Sequence, residues 1–320
     1  MKISVVVTTY NGEHYIYEQL ESLRKQTYDL DEVIILDDLS HDHTVPIIET
    51  YISDHDLPWM LIKNSVNIGY RKNFTKGLQM VSGDIIFLCD QDDIWNQEKV
   101  EEVVQFFQHD EILMISHSFS FIDENGKGFE VKQHADKSNH GLLDIKVDEN
   151  DCISVPLSIL MKKNISQGCC MAMRSAIVKK YVKLTENMLP HDWELALLAA
   201  GQNGFYFYNR SLIHYRIHSN NAIGLNYVID GKAQESKKYR VENRAKVLKE
   251  EKKALDFLLK DRDLYTHNKK EALERFEFMK LRVECVEQRK FFRLIRRGLF
   301  THLIKYYSVT SFFGDVLAIL

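Results

Sequence analysis

Several features that would assign a chain quickly are missing from these 320 residues. No run of 18 apolar residues exists, so no segment reads as a membrane span. The five cysteines (Cys89, Cys152, Cys169, Cys170, Cys285) form no C-x-x-C pair and no zinc spacing. Cys89 and Cys169 fall in apolar, strand-like runs and read as reduced core thiols. Basic residues are not in excess. Lys and Arg number 42 against 46 Asp and Glu, and a net charge of −4 argues against a general nucleic-acid binder. There is no internal repeat. Met1-Lys2-Ile3-Ser4 leads straight into a strand with no signal peptide, so a cytoplasmic location is the expectation. Nor is there a Gly-rich, basic phosphate loop after the first strand. Thr9-Tyr10-Asn11-Gly12-Glu13 is acidic there, which counts against a nucleotidyltransferase.

What is present is an ordinary globular composition, 45% hydrophobic and 28% charged. The length suits one large domain plus an extension. The stretch Ile85-Ile86-Phe87-Leu88-Cys89-Asp90-Gln91-Asp92-Asp93-Ile94-Trp95 organises the rest. Its apolar run suits a strand buried on both faces of a parallel sheet. Its carboxylates then lie just past the strand's carboxyl end, where open α/β sheets bind ligands. Three acids in four residues repel unless a cation or donors neutralise them. Carboxylate oxygens select a hard ion, Mg2+ or Mn2+, and magnesium completes its shell with phosphates and water. The competing reading is a solvated acidic turn, with Asp93 capping a helix that starts near Asn96.

Strands are expected at 3–9, 32–36, 59–62 and 85–89, alternating with helices at about 13–26, 45–52 and from the 67–73 turn toward Met80. That order implies right-handed β-α-β units, a parallel sheet and loops gathered at one edge. A helix at about 97–108 and a strand at 112–122 follow. The polar segment 123–151 is expected to be a mobile loop over the site. Strands are expected at 166–173, 204–208 and 212–217, with helices at 175–184 and from Pro190 to Ala200. Past about Asn226 glycine becomes rare and charged helix takes over, with one long helix at about 269–295. Its basic end carries Arg289, Lys290, Arg293, Arg296, Arg297 and Lys305, interleaved with Phe291, Phe292, Leu294, Ile295, Leu299, Phe300, Leu303 and Ile304. Such a stretch suits an anionic membrane surface or a helix packed on its own domain. Residues 286–320 are thus expected to make a peripheral contact on the inner membrane face, or to mediate a homodimer.

Seven motifs in order carry a family resemblance: VVVTTYNGEHYIYEQLESLRKQT, DDLSHD, NIGYRKN, GDIIFLCDQDDIW, GCCMAMRSA, PHDWELAL and YRIHSNN. Together they resemble family 2 glycosyltransferases of the GT-A fold, most of all the bacterial rhamnosyltransferase-like members that build cell-surface polysaccharides. The resemblance covers roughly residues 1–225, a GT-A domain with a nucleotide-binding half (1–100) and an acceptor half (101–225). The helical region 226–320 lies outside it. The implied fold is α/β, a mostly parallel central sheet flanked by helices. The implied reaction is inverting and metal-dependent. It moves a sugar from dTDP-L-rhamnose or a UDP-hexose to a hydroxyl of a polysaccharide or lipid-linked oligosaccharide.

The resemblance also implies residue roles. Thr9, Tyr10, Asn11 and Asn67 grip the nucleotide. Asp38 reads the N3–H of uracil or thymine, and Asp37 buttresses it. Arg71 and Lys72 contact phosphate or face water. Asp90 binds the ribose or the metal shell, Asp92 is the main metal ligand, and His218 reaches the metal or diphosphate. Gly168, Cys169, His191 and Trp193 shape the acceptor side. Asp192 matches the catalytic base. As a carboxylate at a helix start it is expected to be held ionised and weakly basic. Many relatives carry Glu before this Asp; here it is His191, whose ordinary pKa suits base work, so the two share the assignment. A reading from another class is a catalytically silent nucleotide-binding scaffold. It would keep the first half of the site and lose the acceptor half.

Overall fold

The structure is a computed structural model that describes residues 1–131, 135–219, 243–298 and 305–319. Strand β1 (Ile3–Thr9) is buried along its whole length, as a β-branched run between two covered faces must be. Alternate residues serve opposite faces. Val5 and Val7 pack in one core with Ile16 and Leu20 of α1 (Ile16–Arg24) and Ile48 of α2 (Thr44–Asp54). Val6 packs in the other with Phe74 and Leu78 of α3 (Tyr70–Leu78). Helix α3 lies close to the sheet because position 77 is glycine. A Cβ there would sit 2.4 Å from Val6 Cγ1 and 2.7 Å from Leu36 Cδ1.

Strands β2 (Glu32–Asp37), β3 (Met60–Lys63) and β4 (Ile85–Asp90) join β1 in parallel, in the order β3-β2-β1-β4. The register sets Thr9 against Asp37 and Thr8 against Asp90. The carboxyl ends therefore bring the first-strand threonines and both acidic turns to one edge. Strand β3 is the outer one, and its Met60 is 51% exposed, so the strand expected at 59–62 forms the edge of the sheet.

The second half departs from the parallel pattern. The order continues β9 (Met171–Arg174), β6 (Met114–Ile122), β10 (Phe205–Arg216) and β5 (Ile94–Trp95). β9 runs antiparallel to both β4 and β6. β7 (Gly128–Phe129) and β8 (Cys152–Ser154) pair with β6 and β10. The strand expected over 166–173 is in fact a 3-10 turn, Gly168–Cys170, followed by β9. β9 pairs β4 only at Ile85–Phe87, and this leaves room for the turn beside the acidic end of β4. The two strands expected at 204–217 are one, β10, whose register with β6 shifts around Ser211. The helix expected at 97–108 is α4 (Lys99–Val104) continued as a 3-10 turn. Segment 123–151 is not a free loop throughout. Asn139 Nδ2 donates to Ile165 O at 2.7 Å, and Val147 N donates to Ser138 Oγ at 2.8 Å.

Helices α5 (Leu157–Leu160), α6 (Ser175–Leu184) and α7 (His191–Gly201) cover the sheet on the Val6 side. Four helices follow: α8 (Arg244–Leu259), α9 (Thr266–Glu287), α10 (Phe291–Gly298) and α11 (Val309–Ile319). Their Leu248, Leu258, Phe278 and Cys285 belong to the same core as Leu195 and Leu198 of α7. The single helix expected at 269–295 breaks at Arg289, whose φ is +52°. The boundary expected at 225/226, together with Asn220, Asn221 and residues 299–304, falls outside the described residues. In the basic stretch Phe292 is 85% exposed, but Lys290 and Arg293 pair with Glu284, and Lys305 with Glu274. Among the described residues no helix is long and apolar enough to cross a membrane.

One buried ion-pair network fixes the C-terminal helices. Asp315 of α11 is fully buried and accepts from Arg244 Nε (2.6 Å), Arg282 Nε (2.7 Å) and Tyr307 Oη (2.6 Å). Removing one member strands buried charge, which costs about 3–5 kcal/mol. Asp315→Ala is therefore expected to lower the unfolding free energy by about that much in urea titration. A loss under about 0.5 kcal/mol, the usual range for surface substitutions, would show the network to be idle.

Candidate active site

A cavity of about 730 Å³ opens along the carboxyl edge of β1, β2 and β4. Thr9, Tyr10, Asp38, Asn67, Arg71, Asp90 and Asp92 line its first half. Gly168, His191, Asp192 and Trp193 line the other, so both halves of the expected site share one space. Its size is that of a small-molecule site.

At the β1–β2 end the acids are held by donors. Asp37 is buried and accepts from Thr9 Oγ1 (2.9 Å), Ser40 Oγ (2.5 Å) and Ser40 N (2.9 Å). It is a brace rather than a cavity residue. Asp38 faces the cavity and accepts from Asn64 Nδ2 (2.9 Å), Ile68 N (2.9 Å) and Gly69 N (2.7 Å). Gly69, at φ +80°, lets the 67–73 turn fold back onto this carboxylate. Gln91 clips Tyr10 through both backbone groups, at 2.8 and 3.0 Å. Asn11 spends its side chain on His41 N (2.9 Å) and does not line the cavity. Arg71 hydrogen-bonds Tyr70 Oη and Met188 O, while Lys72 is exposed outside the cavity.

The acidic turn after β4 is built from below. Asp92 Oδ2 meets His218 Nε2 at 2.9 Å, and the His218 ring lies 4.7 Å from that of Tyr15. Here that nitrogen steadies Asp92. Arg216, 1% exposed, donates from Nε to Asp92 O (2.8 Å) and from its backbone to Asp93 Oδ1 (3.1 Å). Asp93 is therefore buried under the turn and is not a solvated helix cap. Among the described residues its Oδ2 has no hydrogen-bond partner. Burial, with Asp92 and Asp192 nearby, pushes the Asp90 carboxyl up to about 7. The side chains of Asp90, Asp93 and Cys169 place ligand atoms within 4.8 Å of one another. Burial keeps the Cys169 thiol protonated, so the oxygens are the usable donors. A buried carboxylate oxygen with no hydrogen-bond partner among the described residues and a destabilised Asp90 fit a hard divalent cation, which the half-buried, cavity-lining Asp90 and Asp92 could hold. Cys169 lies beneath the cavity rather than in its acceptor wall. The 3-10 turn faces it inward, and its carbonyl accepts from buried Lys99 Nζ at 2.7 Å.

On the far side, burial inverts the expected acid–base order. Asp192 is pushed up to about 6 by burial, which outweighs the hydrogen bond from Trp193 N (2.8 Å). His191 is driven down to about 3, by burial and then by Arg71, so it is a neutral ring and a poor base. Trp193 anchors its indole on Leu160 O (2.7 Å). The sequence reading missed Gln91, Asn164, Gln167 and Tyr215 in the lining, and Lys99 and Arg216 below it. Tyr215 and Arg216 stood in the YRIHSNN motif, the one signal for them. It also missed Glu250 and Lys253, which α8 contributes to the cavity wall.

A model described as glycosyl transferase family 2 matches residues 4–182. Poly(ribitol-phosphate) beta-N-acetylglucosaminyltransferase TarS of Staphylococcus aureus is 36% identical over 120 residues, 36% of this chain and 21% of that protein. A glycosyltransferase of Nostoc is 29% identical over 127 residues, 40% of this chain and 39% of its own length. One of Haemophilus influenzae is 27% identical over 223 residues, 68% and 66% of the two chains. The chain thus spans under half of the first two relatives. Among solved structures, S. aureus TarS 1–349 in complex with UDP-GlcNAc has a TM-score of 0.57 at 19% identity, covering 99% of this chain and 79% of that one. The mannosyltransferase PcManGT of Pyrobaculum calidifontis, in complex with GDP-Man and Mn2+, scores 0.53 at 15% identity, over 99% and 85%. These likenesses show a GT-A fold.

Proposed function

The chain belongs to glycosyl transferase family 2, and from that premise we propose that it is an inverting, cation-assisted glycosyltransferase. Its donor is a nucleoside-diphosphate sugar carrying uracil or thymine. UDP-GlcNAc, a UDP-hexose and dTDP-L-rhamnose are the donors to try, the first because the related TarS structure holds it. Its acceptor is a saccharide hydroxyl, free or lipid-linked. The observation that carries the reading is the single cavity in which Asp38, Asp90 and Asp92 face Asp192.

Each residue has a physical task. Asp38 Oδ2 accepts from Gly69 N and keeps a further lone pair, suited to the N3–H of the base. His218 and Arg216 hold the Asp92 turn in one geometry. Mg2+ or Mn2+ at Asp90 and Asp92 would stabilise charge on the departing diphosphate. Asp192, raised to about 6, is ionised at neutral pH yet basic enough to take the acceptor's proton. The acceptor oxygen bonds to the anomeric carbon as the carbon–oxygen bond to diphosphate breaks, and the proton passes to Asp192. The silent-scaffold reading expects the acceptor half to be lost, and Gly168, His191, Asp192 and Trp193 lining the same cavity favour the enzyme reading over it.

The test is to incubate the protein with UDP-GlcNAc, UDP-glucose, UDP-galactose and dTDP-L-rhamnose plus Mn2+, with methyl glycosides as acceptors. Nucleoside diphosphate release and the anomeric configuration of the product are read by NMR. Release with inversion is expected. Retention of configuration, or no release from any donor, would overturn the proposal.

A further inference from the structure

The last two helices hold large apolar side chains out in solvent. Val309, Phe313 and Leu317 of α11 recur every four residues and so share one helical face. They are 72%, 57% and 59% exposed. The opposite face cannot turn outward, because Asp315 and Ile319 are buried there and Asp315 is clamped by Arg244 and Arg282. On α10, Phe292 is 85% exposed and lies one turn before exposed Arg296, while Leu294 is buried on the other side. Both helices pack on α9. Single exposed apolar residues are ordinary, but an aligned stripe of them marks a surface that something covers.

The charge around these residues has one sign. From Gln288 to Gly314 the sequence carries no Asp or Glu. Lys290 and Arg293 share the single carboxylate of Glu284, and Lys305 takes Glu274. Arg289 and Arg296 are exposed and have no ion pair among the described residues. A twofold contact between copies would set this patch against itself, cation facing cation. An anionic lipid surface offers the opposite charge and an apolar boundary below it.

We propose that α10 and α11 are a docking surface for an anionic bilayer. Phe292, Val309, Phe313 and Leu317 enter the boundary between headgroups and acyl chains, and Arg289 and Arg296 meet the lipid phosphates. The surface is joined to the cavity through one helix. Arg244 of α8 bonds Asp315 of α11, and Lys253, about 14 Å further along α8 at 1.5 Å per residue, lines the cavity wall.

The test is co-sedimentation of the full chain with vesicles of phosphatidylcholine, alone or mixed with an equal part of phosphatidylglycerol. The anionic vesicles are expected to bind the protein at least roughly tenfold more tightly, and added salt to remove that gain. Arg289→Gln with Arg296→Gln is expected to weaken binding to them on the order of tenfold. Phe313→Ser with Leu317→Ser keeps the charge and is expected to lose about as much, and Phe292→Ser tests α10 in the same way. These side chains are exposed, so every variant is expected to melt with the wild type. Equal binding to both vesicle types, or variants that bind as the wild type does, would overturn the docking surface. Sedimentation velocity without lipid reads the other occupant. A monomer is expected, and a dimer that Phe313→Ser with Leu317→Ser dissociates would give the patch to a second copy instead. No readout here involves nucleotide, so failure of docking leaves the transferase reading standing, and the reverse.

Discussion

Asp192→Asn is expected to lower kcat for sugar transfer roughly 10²–10⁴-fold, the usual contribution of a positioned base. The amide is isosteric and accepts the same hydrogen bond from Trp193 N, so the start of α7 is undisturbed. It cannot take a proton, so the acceptor hydroxyl must attack undeprotonated. Stabilisation by UDP with Mn2+ stays intact, because Asp192 lies on the acceptor side. The pH dependence follows with its sign. The working form is the carboxylate, and burial sets its pKa at about 6. Transfer in wild type therefore falls as pH drops through about 6 and is flat above, read as kcat/KM against pH. His191, with a pKa near 3, is neutral over that range and adds no limb. An Asn variant within tenfold of wild type would remove Asp192 from the base role.

Asp92→Ala is expected to abolish the Mn2+-dependent part of nucleotide binding and to lower turnover on the order of 10³-fold. Here the nucleotide half is lost, the converse of Asp192→Asn. Asp92 is the acid of the turn that faces the cavity while its other contacts fix it. His218 meets its Oδ2, and Arg216 holds its carbonyl. Alanine leaves the carbonyl contact, so the turn survives and only the charge goes. Asp90 alone offers the cation one cavity-lining carboxylate where the pair offered two. Titration calorimetry of UDP with and without Mn2+ reads the effect. Unchanged metal dependence would move the ligand role to Asp90 and Asp93.

How much of this was legible follows from what each residue depends on. The alternation of 3–90 was readable because a β-branched run such as Ile3–Thr9 admits few other fates, and parallel order then places the acids at one edge. The Gly168–Cys170 turn was not, since small apolar residues suit a strand equally well, and only the short β4–β9 pairing decides. Arg216 salt-bridges Glu18 across 198 positions, a contact that no local pattern announces. Helical periodicity could suggest that Glu250 and Lys253 are polar-face residues, but not that α8 lies beside the acceptor cavity. The relative basicity of Asp192 and His191 was inverted for one reason. Ordinary pKa values describe groups in water, and burial favours the neutral form of each, raising the acid and lowering the base.

The most direct measurement is the melting temperature of the full chain with UDP, dTDP, GDP and CDP, each with and without Mn2+. A ligand that binds only the folded state stabilises it by about 2.7 kcal/mol at a hundredfold excess over Kd. The account expects UDP or dTDP to raise the melting temperature, with most of the rise requiring Mn2+, and GDP and CDP to do little. No shift with any diphosphate, with or without the cation, would contradict it.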